Sequence, residues 1–215
     1  MGCDIHVTTE VRRNGTWSRE DCAVDPDRNY SLFAALAGVR NGSGFAGVDT
    51  GDPVTPIFAP RGIPEDGSVD VQGEAANWDL GGHSHSYATL AELLAYDWTQ
   101  PQVKRGIVAV AEWARWGAYD RARGDSPKSW CGGISGPNIE ILSESEARER
   151  FGGREWRSIK ADKAASGVHV RAEWTAPLYK SCSAFLSESI PVLLDLARRA
   201  GVGMDDVRIV YFFDN

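Results

Sequence analysis

Hydrophobic and polar residues alternate in several short stretches of the chain, and this period of two predicts β-strands that are buried on one face. The first stretch places Asp4 and His6 together on its polar face, because residues two apart on a strand point the same way. An Asn-Gly pair at 14–15 follows it and predicts a hairpin turn. The last stretch is apolar and ends directly before Asp214. The predicted strands cover residues 3–12, 16–18, 138–142, 168–175 and 208–213.

Other stretches carry the signals of helices rather than strands. Thr89 and Glu92 form a capping box, which is typical of a helix start. Gly38 and Gly201 stand where two helices would end, and Pro101 suits the first turn of the longest one. The predicted helical stretches cover residues 32–37, 90–96, 101–123, 143–150 and 183–200.

The rest of the chain is predicted to be loop. From Asn41 to Leu80 it is rich in Gly, Pro and Asp without a clear period, and a loop of this length is usually functional or mobile. No internal repeat, low-complexity tract or linker divides the sequence. We therefore expect one α+β domain over residues 1–215. Its sheet, mixed or antiparallel, includes the N- and C-terminal strands and packs with three to four helices and long Gly/Pro-rich loops.

Composition and charge narrow the class of protein. Of the 215 residues 42% are hydrophobic and 25% charged, which is ordinary for a globular chain. The net charge of −7 argues against broad nucleic-acid binding and against binding to an anionic membrane, but a small anionic ligand needs only two or three local basic residues. No signal peptide or transmembrane span is visible, and the four cysteines form no C-x-x-C pair. These features predict a cytoplasmic protein with reduced thiols.

Three clusters carry residues suited to chemistry. Asp4 and His6 share a strand face, so a carboxylate and an imidazole there can bind one divalent cation. His83 and His85 lie in a predicted Gly-rich loop before a capped helix, a setting that suits a metal or a phosphate. Asp214 approaches the first cluster if the terminal strands are neighbours. The set of Asp4, His6, His85 and Asp214 then provides the mixed N/O ligands used by Zn, Mn or Fe.

Plainer interpretations stand beside each of these. The face of Asp4 and His6 is equally a solvated sheet face, and His83 and His85 are equally polar residues near a helix start. Loop arginines such as Arg28 and Arg61 suit a phosphate or a carboxylate, yet they also suit ordinary ion pairs. The Walker, dinucleotide-binding and G-x-S-x-G patterns are absent.

Six blocks of the sequence are distinctive in combination: residues 1–6 (MGCDIH), 28–33 (RNYSLF), 37–40 (AGVR), 60–66 (PRGIPED), 83–86 (HSHS) and 213–215 (FDN). In these blocks the sequence resembles a family of accessory proteins of tailed bacteriophages that begin Met-Gly-Cys-Asp-Ile-His. Tyr87 departs from the Trp expected after the HSHS block. The resemblance implies a phage protein that acts inside a bacterial cell, and it implies no mechanism. It also draws attention to Arg28, Asn29, Tyr30 and Arg61, which lie within its blocks.

The first functional hypothesis is a metal-dependent hydrolase that acts on a phosphoester or nucleotide-like small molecule, including an immune-signalling nucleotide of the host. His83 and His85 would be catalytic, and the metal would activate a bound water. The assigned residues are metal ligands Asp4, His6, His85 and Asp214, and ligand-binding residues Arg28, Asn29, Tyr30 and Arg61.

Two alternatives remain open. In one, the same residues bind and sequester a nucleotide-like signal without catalysis, and a homo-oligomer completes the pocket. In the other, the protein inhibits a host protein through exposed tryptophans and its acidic surface.

Overall fold

A computed structural model describes residues 2–22, 24–78 and 81–214 of the chain. Three sequence predictions include residues outside these ranges: the first motif includes Met1, the long loop ends at Leu80, and the final FDN block includes Asn215. None of the helices in the described part is both long enough and apolar enough to span a membrane.

The chain divides into two compact units, each built from separate stretches of sequence. The single-domain organisation expected for residues 1–215 stays a prediction. The first unit comprises Met1–Asn41, Val54–Gln100 and Ser181–Asn215, and the second comprises Gly42–Pro53 and Pro101–Lys180.

Strands and helices are mixed along the sequence. The strands are β1 (Asp4–Arg13), β2 (Thr16–Arg19), β3 (Gly82–Thr89), β4 (Pro101–Ala109), β5 (Glu140–Ser143), β6 (Val168–Pro177) and β7 (Val207–Asp214). The α-helices are α1 (Tyr30–Ala37), α2 (Val69–Asn77), α3 (Leu90–Ala95), α4 (Val110–Tyr119), α5 (Glu144–Phe151), α6 (Trp156–Ala161), α7 (Leu178–Ser181) and α8 (Ile190–Ala200). A π-helical turn, Phe185–Ser189, precedes α8.

The sheet of the first unit has the strand order β2-β1-β7-β3, and its pairs are antiparallel. Strand β7 is central and almost wholly buried, which explains why its sequence is apolar without alternation. Asp4 pairs with Asp214, and Val11 pairs with Val207 at the other end of the ladder. The predicted α+β class, with the N- and C-terminal strands in one sheet, is confirmed.

One face of this sheet packs against helices. Helix α1 contacts β3, and α3 and α8 contact β7. The rings of Phe33 and Phe213 lie 5.1 Å apart, and the Tyr211 hydroxyl donates a hydrogen bond to the Leu36 carbonyl at 2.9 Å. Burial of these large side chains away from water fixes which face of β1 and β7 points inward.

The opposite face carries polar side chains, several of them buried. Glu10 is fully buried and accepts a hydrogen bond at 2.7 Å from the Arg208 Nε, which lies across the ladder on β7. Arg208 also donates to Asp66 at 2.9 Å and lies 3.8 Å from the centre of the Trp17 ring. Thr8 donates to Glu74 of α2 at 2.7 Å, so α2 and the loop before it cover this part of the face.

The second unit has a smaller sheet in the order β4-β6-β5, with β4 antiparallel and β5 parallel to β6. Alternate residues of β6 are buried, as the sequence pattern predicts. They form one core with residues of α4, α5 and α6, including Trp113, Trp116, Phe151 and Ile159.

The long helix expected at 101–123 is wrong in its first half, where β4 precedes α4. Val103, Ile107 and Val110 are spaced four and three apart, which suits a helical face. In the structure the first nine residues pair instead with β6, including Val103 with Thr175. Tertiary pairing therefore overrides the local period.

Two segments expected to be loop are regular. Residues 82–89 form β3, although Gly, His and Ser are weak strand formers, because six of them pair with residues of β7. Residues 69–77 form α2, which Ser68 caps by accepting a hydrogen bond from the Val71 amide. Among the nine residues of α2 only Val71 is buried, so the sequence shows no apolar face there.

Replacing Glu10 with Gln is expected to lower the free energy of unfolding by about 3 kcal/mol, because the Arg208 charge stays buried without its main counter-charge. Asp66 still pairs with Arg208, which holds the loss at the lower end of the usual range. Glu140→Gln, which breaks the exposed pair with Arg150, is the control and should cost less than about 1 kcal/mol. Urea denaturation measures both, and equal losses would contradict the role given to the buried pair.

Candidate functional site

The ends of β1 and β7 bring a carboxylate and an imidazole into contact. Asp4 and Asp214 lie opposite each other, and the Asp4 amide donates a hydrogen bond to Asp214 Oδ1 at 3.1 Å. Asp214 Oδ2 lies 3.3 Å from His6 Nε2. We call Asp4, His6, Arg28 and Asp214 the Asp–His cluster.

Arg28 closes the cluster from the segment that precedes α1. Its Nε and Nη2 each donate to one oxygen of the Asp4 carboxylate at 2.6 Å. These hydrogen bonds from Arg28 hold the pKa of Asp4 below its ordinary value. Both side chains are about half exposed, at 54% for Arg28 and 49% for Asp4, so the pair is open to solvent and to exchange of partners.

The His6 ring is held between two aromatic side chains. Its centre lies 4.7 Å from that of Phe212, with an interplanar angle of 10°, and 4.4 Å from that of Trp78. A carboxylate oxygen only accepts hydrogen bonds, so Nε2 is the donor in this contact, and Nδ1 is the ring nitrogen that can act as a base. The stacking fixes the ring plane and the hydrogen bond fixes its rotation.

The two histidines of β3 fall on opposite faces of the sheet. The register of β3 shifts between His83 and Ser86, and Ser84 has a positive φ of 53° within this bulge. His83 pairs with Phe213 on the helix-facing side, whereas the His85 ring stacks on Phe212 at 5.1 Å on the side of the Asp–His cluster. The sequence predicted that these two histidines belong to one site. The structure instead places them on opposite faces of the sheet.

His85 is packed rather than solvated. Its Nε2 is buried, and among the described residues this atom has no hydrogen-bond partner. A Cβ placed on Gly82 would lie 3.3 Å from the same atom, so the absence of a side chain at this position leaves room for the ring. Desolvation by burial, with a smaller contribution from His83, lowers the pKa of His85 below the ordinary histidine value.

The distance between His6 and His85 bears on metal binding. Both rings stack on Phe212, one from β1 and one from β3, so two strand spacings, about 9.5 Å, separate their strands. Two nitrogens that bind one ion lie within about 4 Å of each other. The described residues contain no group of three or more His, Cys, Asp or Glu side chains arranged to hold a metal ion. The structure thus brings together Asp4, His6 and Asp214 and leaves His85 apart.

Two of the expected ligand-binding residues have structural partners. Asn29 caps α1, since its Oδ1 accepts from the amides of Ser31 and Leu32, and its Nδ2 donates to the Ser181 carbonyl. The Tyr30 hydroxyl accepts from the Cys3 amide at 3.3 Å. These bonds tie the start of α1 to β1 and thereby place Arg28 beside Asp4.

Arg61 lies away from the Asp–His cluster. It forms a fork-like ion pair with Glu92 of α3, which follows the far end of β3. That end of β3 pairs with Arg208, which itself pairs with Glu10, about 20 Å along β1 from Asp4. The geometry therefore does not bring Arg61 and Arg28, which were both assigned to ligand binding, together at one site.

Several residues around the cluster are not among those predicted from the sequence. Phe212 follows from the register, since the pairing of Asp4 with Asp214 also pairs His6 with Phe212. Trp78 directly follows α2, which was not predicted, and no pattern in the sequence indicated that its ring would contact His6. Asp25 and Asp27 line, with Asp4 and Arg28, an open depression of about 560 Å³. Carboxylates outnumber the arginine there, so a bound anion would need an additional positive charge nearby.

The chain matches no protein-family model, no curated protein and no solved structure. The Asp–His cluster and its surroundings are therefore the structural basis for assigning a function.

Arg28→Gln should raise the pKa of Asp4 towards 3.8, because the hydrogen bonds that favour the charged carboxylate are lost. In the wild type this pair contributes stability that is present above the unfolded pKa of Asp4 and lost as pH falls through its lowered, folded value. A carboxyl-carbon NMR titration of Asp4 measures the shift. Arg157→Gln, which removes another exposed arginine paired with a carboxylate, is the control and should leave the Asp4 titration unchanged.

His85 should titrate below pH 6.5 in the folded protein, because burial penalises its charged form. The unfolded chain then binds the proton more tightly. The contribution of His85 to the free energy of unfolding is therefore fully present above about pH 6.5, and it is lost as the pH falls below that value. The Hε1 resonance, assigned by its loss in His85→Gln, reports the titration by NMR; a midpoint at or above 6.5 would refute the burial argument.

Proposed function

We propose that the protein is a hydrolase that acts on a phosphoester in a nucleotide-like small molecule, at the Asp–His cluster. The observation that carries this proposal is the contact between His6 and Asp214 on paired strands. Asp214 orients the imidazole and stabilises its protonated form, which is the arrangement by which a carboxylate assists a histidine base.

In this proposal His6 removes a proton from the attacking water through Nδ1, the nitrogen that Asp214 does not occupy. Phe212 and Trp78 hold the ring, so the base is in position before substrate binds. Trp78 is only partly buried and offers a surface on which a nucleobase could stack. Asp214 is fixed in turn by the Asp4 amide.

The charge around the cluster supports a role for a divalent metal ion. A phosphoester bound here would lie near four carboxylates and one arginine, so negative charge would repel it. The carboxylates are those of Asp4, Asp25, Asp27 and Asp214, and the arginine that lines the depression is Arg28. A Zn, Mn or Fe ion bound by Asp4 and Asp214 would offset that charge and lower the pKa of a bound water, while His6 stays available as the base. Binding of the ion would require Arg28 to leave Asp4, and its guanidinium would then be available for the phosphate.

The resemblance to tailed-phage accessory proteins supports a cellular setting for this activity. In that setting the protein would act in the cytoplasm of an infected bacterium and remove a nucleotide signal of the host defence. The net charge of −7 agrees with a small-molecule substrate rather than with a nucleic-acid polymer.

Sequestration without chemistry is the second candidate, and one observation favours it. The aromatic surface of Trp78 and the Arg28 side chain suit a base and a phosphate, whereas no metal-ligand group of three or more is arranged among the described residues. In this case stacking and charge-assisted hydrogen bonds alone would retain the nucleotide, in a pocket that a homo-oligomer would complete by adding residues of a second copy.

The hydrolase proposal is tested by incubating the purified protein with cyclic and linear nucleotides and dinucleotides, in Zn²⁺, Mn²⁺, Fe²⁺ or EDTA, and identifying products by mass spectrometry. His6→Gln and Asp214→Asn should each lower kcat by about 100-fold or more, because the base loses its nitrogen or its orientation. EDTA should abolish turnover if the ion has the role given above.

His169→Gln is the matched control, since it removes a histidine from β6 of the second unit, where the ring contacts the Gly167 carbonyl. It should turn over substrate as the wild type does. Stoichiometric binding of an unaltered nucleotide by the wild type, without turnover in any metal, would establish sequestration and exclude the hydrolase.

A further inference from the structure

The first unit has a second cavity, apart from the Asp–His cluster. It lies between the segment 55–61 on one side and α3 with the turn to Gln100 on the other, and its volume is about 750 Å³. Small-molecule sites generally span about 300–1,000 Å³. Pro56, Ile57, Phe58 and Ala95 supply apolar surface, and Arg61, Glu92 and Asp97 supply the charges.

Arg61 is held rigidly at the wall of this cavity. Its guanidinium lies 3.3 Å from the centre of the Phe58 ring and 5.2 Å from that of Tyr87. Nη1 and Nη2 donate to the two carboxylate oxygens of Glu92 at 3.2 and 2.6 Å. Glu92 is fixed in turn by the capping box of α3.

One edge of the guanidinium remains open. Arginine has five N–H donors, and the Glu92 carboxylate accepts from the Nη1–Nη2 edge. The edge formed by Nε and Nη2 has no acceptor among the described residues. With 29% of the Arg61 side chain exposed, this edge is positioned for a carboxylate or phosphate to accept two parallel hydrogen bonds.

Asp97 supplies a fixed negative charge in the same cavity. Its Oδ1 accepts from the amide and the hydroxyl of Thr99, at 2.9 and 2.6 Å. These bonds lower the pKa of Asp97, so the carboxylate is ionised at neutral pH. The Gln100 backbone amide also donates to this carboxylate. Because the carboxylate is exposed to solvent and its oxygens can accept further hydrogen bonds, an ammonium group is its natural partner.

We infer that this cavity binds a small zwitterion, with its carboxylate or phosphate on the open edge of Arg61, its ammonium group near Asp97 and an apolar body between them. Arg61 and Glu92 neutralise each other, and Asp97 adds one negative charge. A plain anion would be repelled by Asp97, and a plain cation would leave the open edge of Arg61 without a partner. A zwitterion pairs with both groups, since its oxyanion can bind Arg61 and its ammonium group can bind Asp97.

The binding test uses two zwitterions, 4-(aminomethyl)benzoate and the dipeptide Gly-Phe, and two singly charged relatives, benzoate and benzylamine. Calorimetry gives the affinities, and the Arg61 Nε–H resonance in a ¹⁵N-labelled protein reports where the ligand binds. At least one zwitterion should bind and shift that resonance, about tenfold more tightly than benzoate or benzylamine.

Three variants separate the parts of the site. Arg61→Gln should weaken zwitterion binding about tenfold, and Asp97→Asn should weaken it while retaining an acceptor for Thr99. Glu92→Gln should strengthen it about threefold to tenfold, because a negative charge beside the oxyanion is removed while glutamine preserves the capping box.

Glu146→Gln is the control for the last variant, because Glu146 occupies the same position in the capping box of α5, in the second unit. It should leave binding unchanged. The inference is overturned if neither zwitterion binds at millimolar concentration, if benzylamine or benzoate binds as tightly as the zwitterions, or if Glu92→Gln and Arg61→Gln change affinity in the same direction.

Discussion

The antiparallel ladder between β1 and β7 is the constraint on which the candidate site depends. It pairs Asp4 with Asp214 and His6 with Phe212, so one register sets both the hydrogen-bond partner and the stacking partner of the histidine. A slip of one residue would reverse every side chain of β1 and turn His6 towards the helices. The buried pair of Glu10 and Arg208, farther along the same ladder, opposes such a slip, because either charge alone would be buried without compensation.

The two faces of this sheet have different roles in the first unit. The helix-facing side holds the large apolar side chains that stabilise the fold, and the other side holds polar residues whose partners come from distant segments. Arg28 reaches Asp4 only because Asn29 and Tyr30 fix the start of α1. Asn29 and Tyr30, which were expected to bind a ligand, thus also position the arginine beside them.

The sequence predicted the parts of the site that local pattern determines. Alternation placed Asp4 and His6 on one face, and the apolar run before Asp214 indicated a buried neighbouring strand. It could not predict the separation of His83 from His85, because this depends on a bulge at Ser84 whose φ is positive in a residue that rarely adopts it. The sequence also could not predict β4, because the spacing of apolar residues there fits a helix as well as a strand. Pairing with β6 decides between the two. Trp78 and the partners of Arg61 depend on tertiary contacts, about which periodicity carries no information.

The ladder also has a consequence for how the molecule folds. Asp4 and Asp214 are separated by 210 residues, so their pairing closes a very large loop. The entropy cost of closure rises only slowly with loop length, but contacts of such long range slow folding. Local elements such as the β1–β2 hairpin and the capped α3 can form early, whereas the Asp–His cluster comes into existence only when β7 joins the sheet. A chain that has not completed its central strand therefore has no assembled cluster at all.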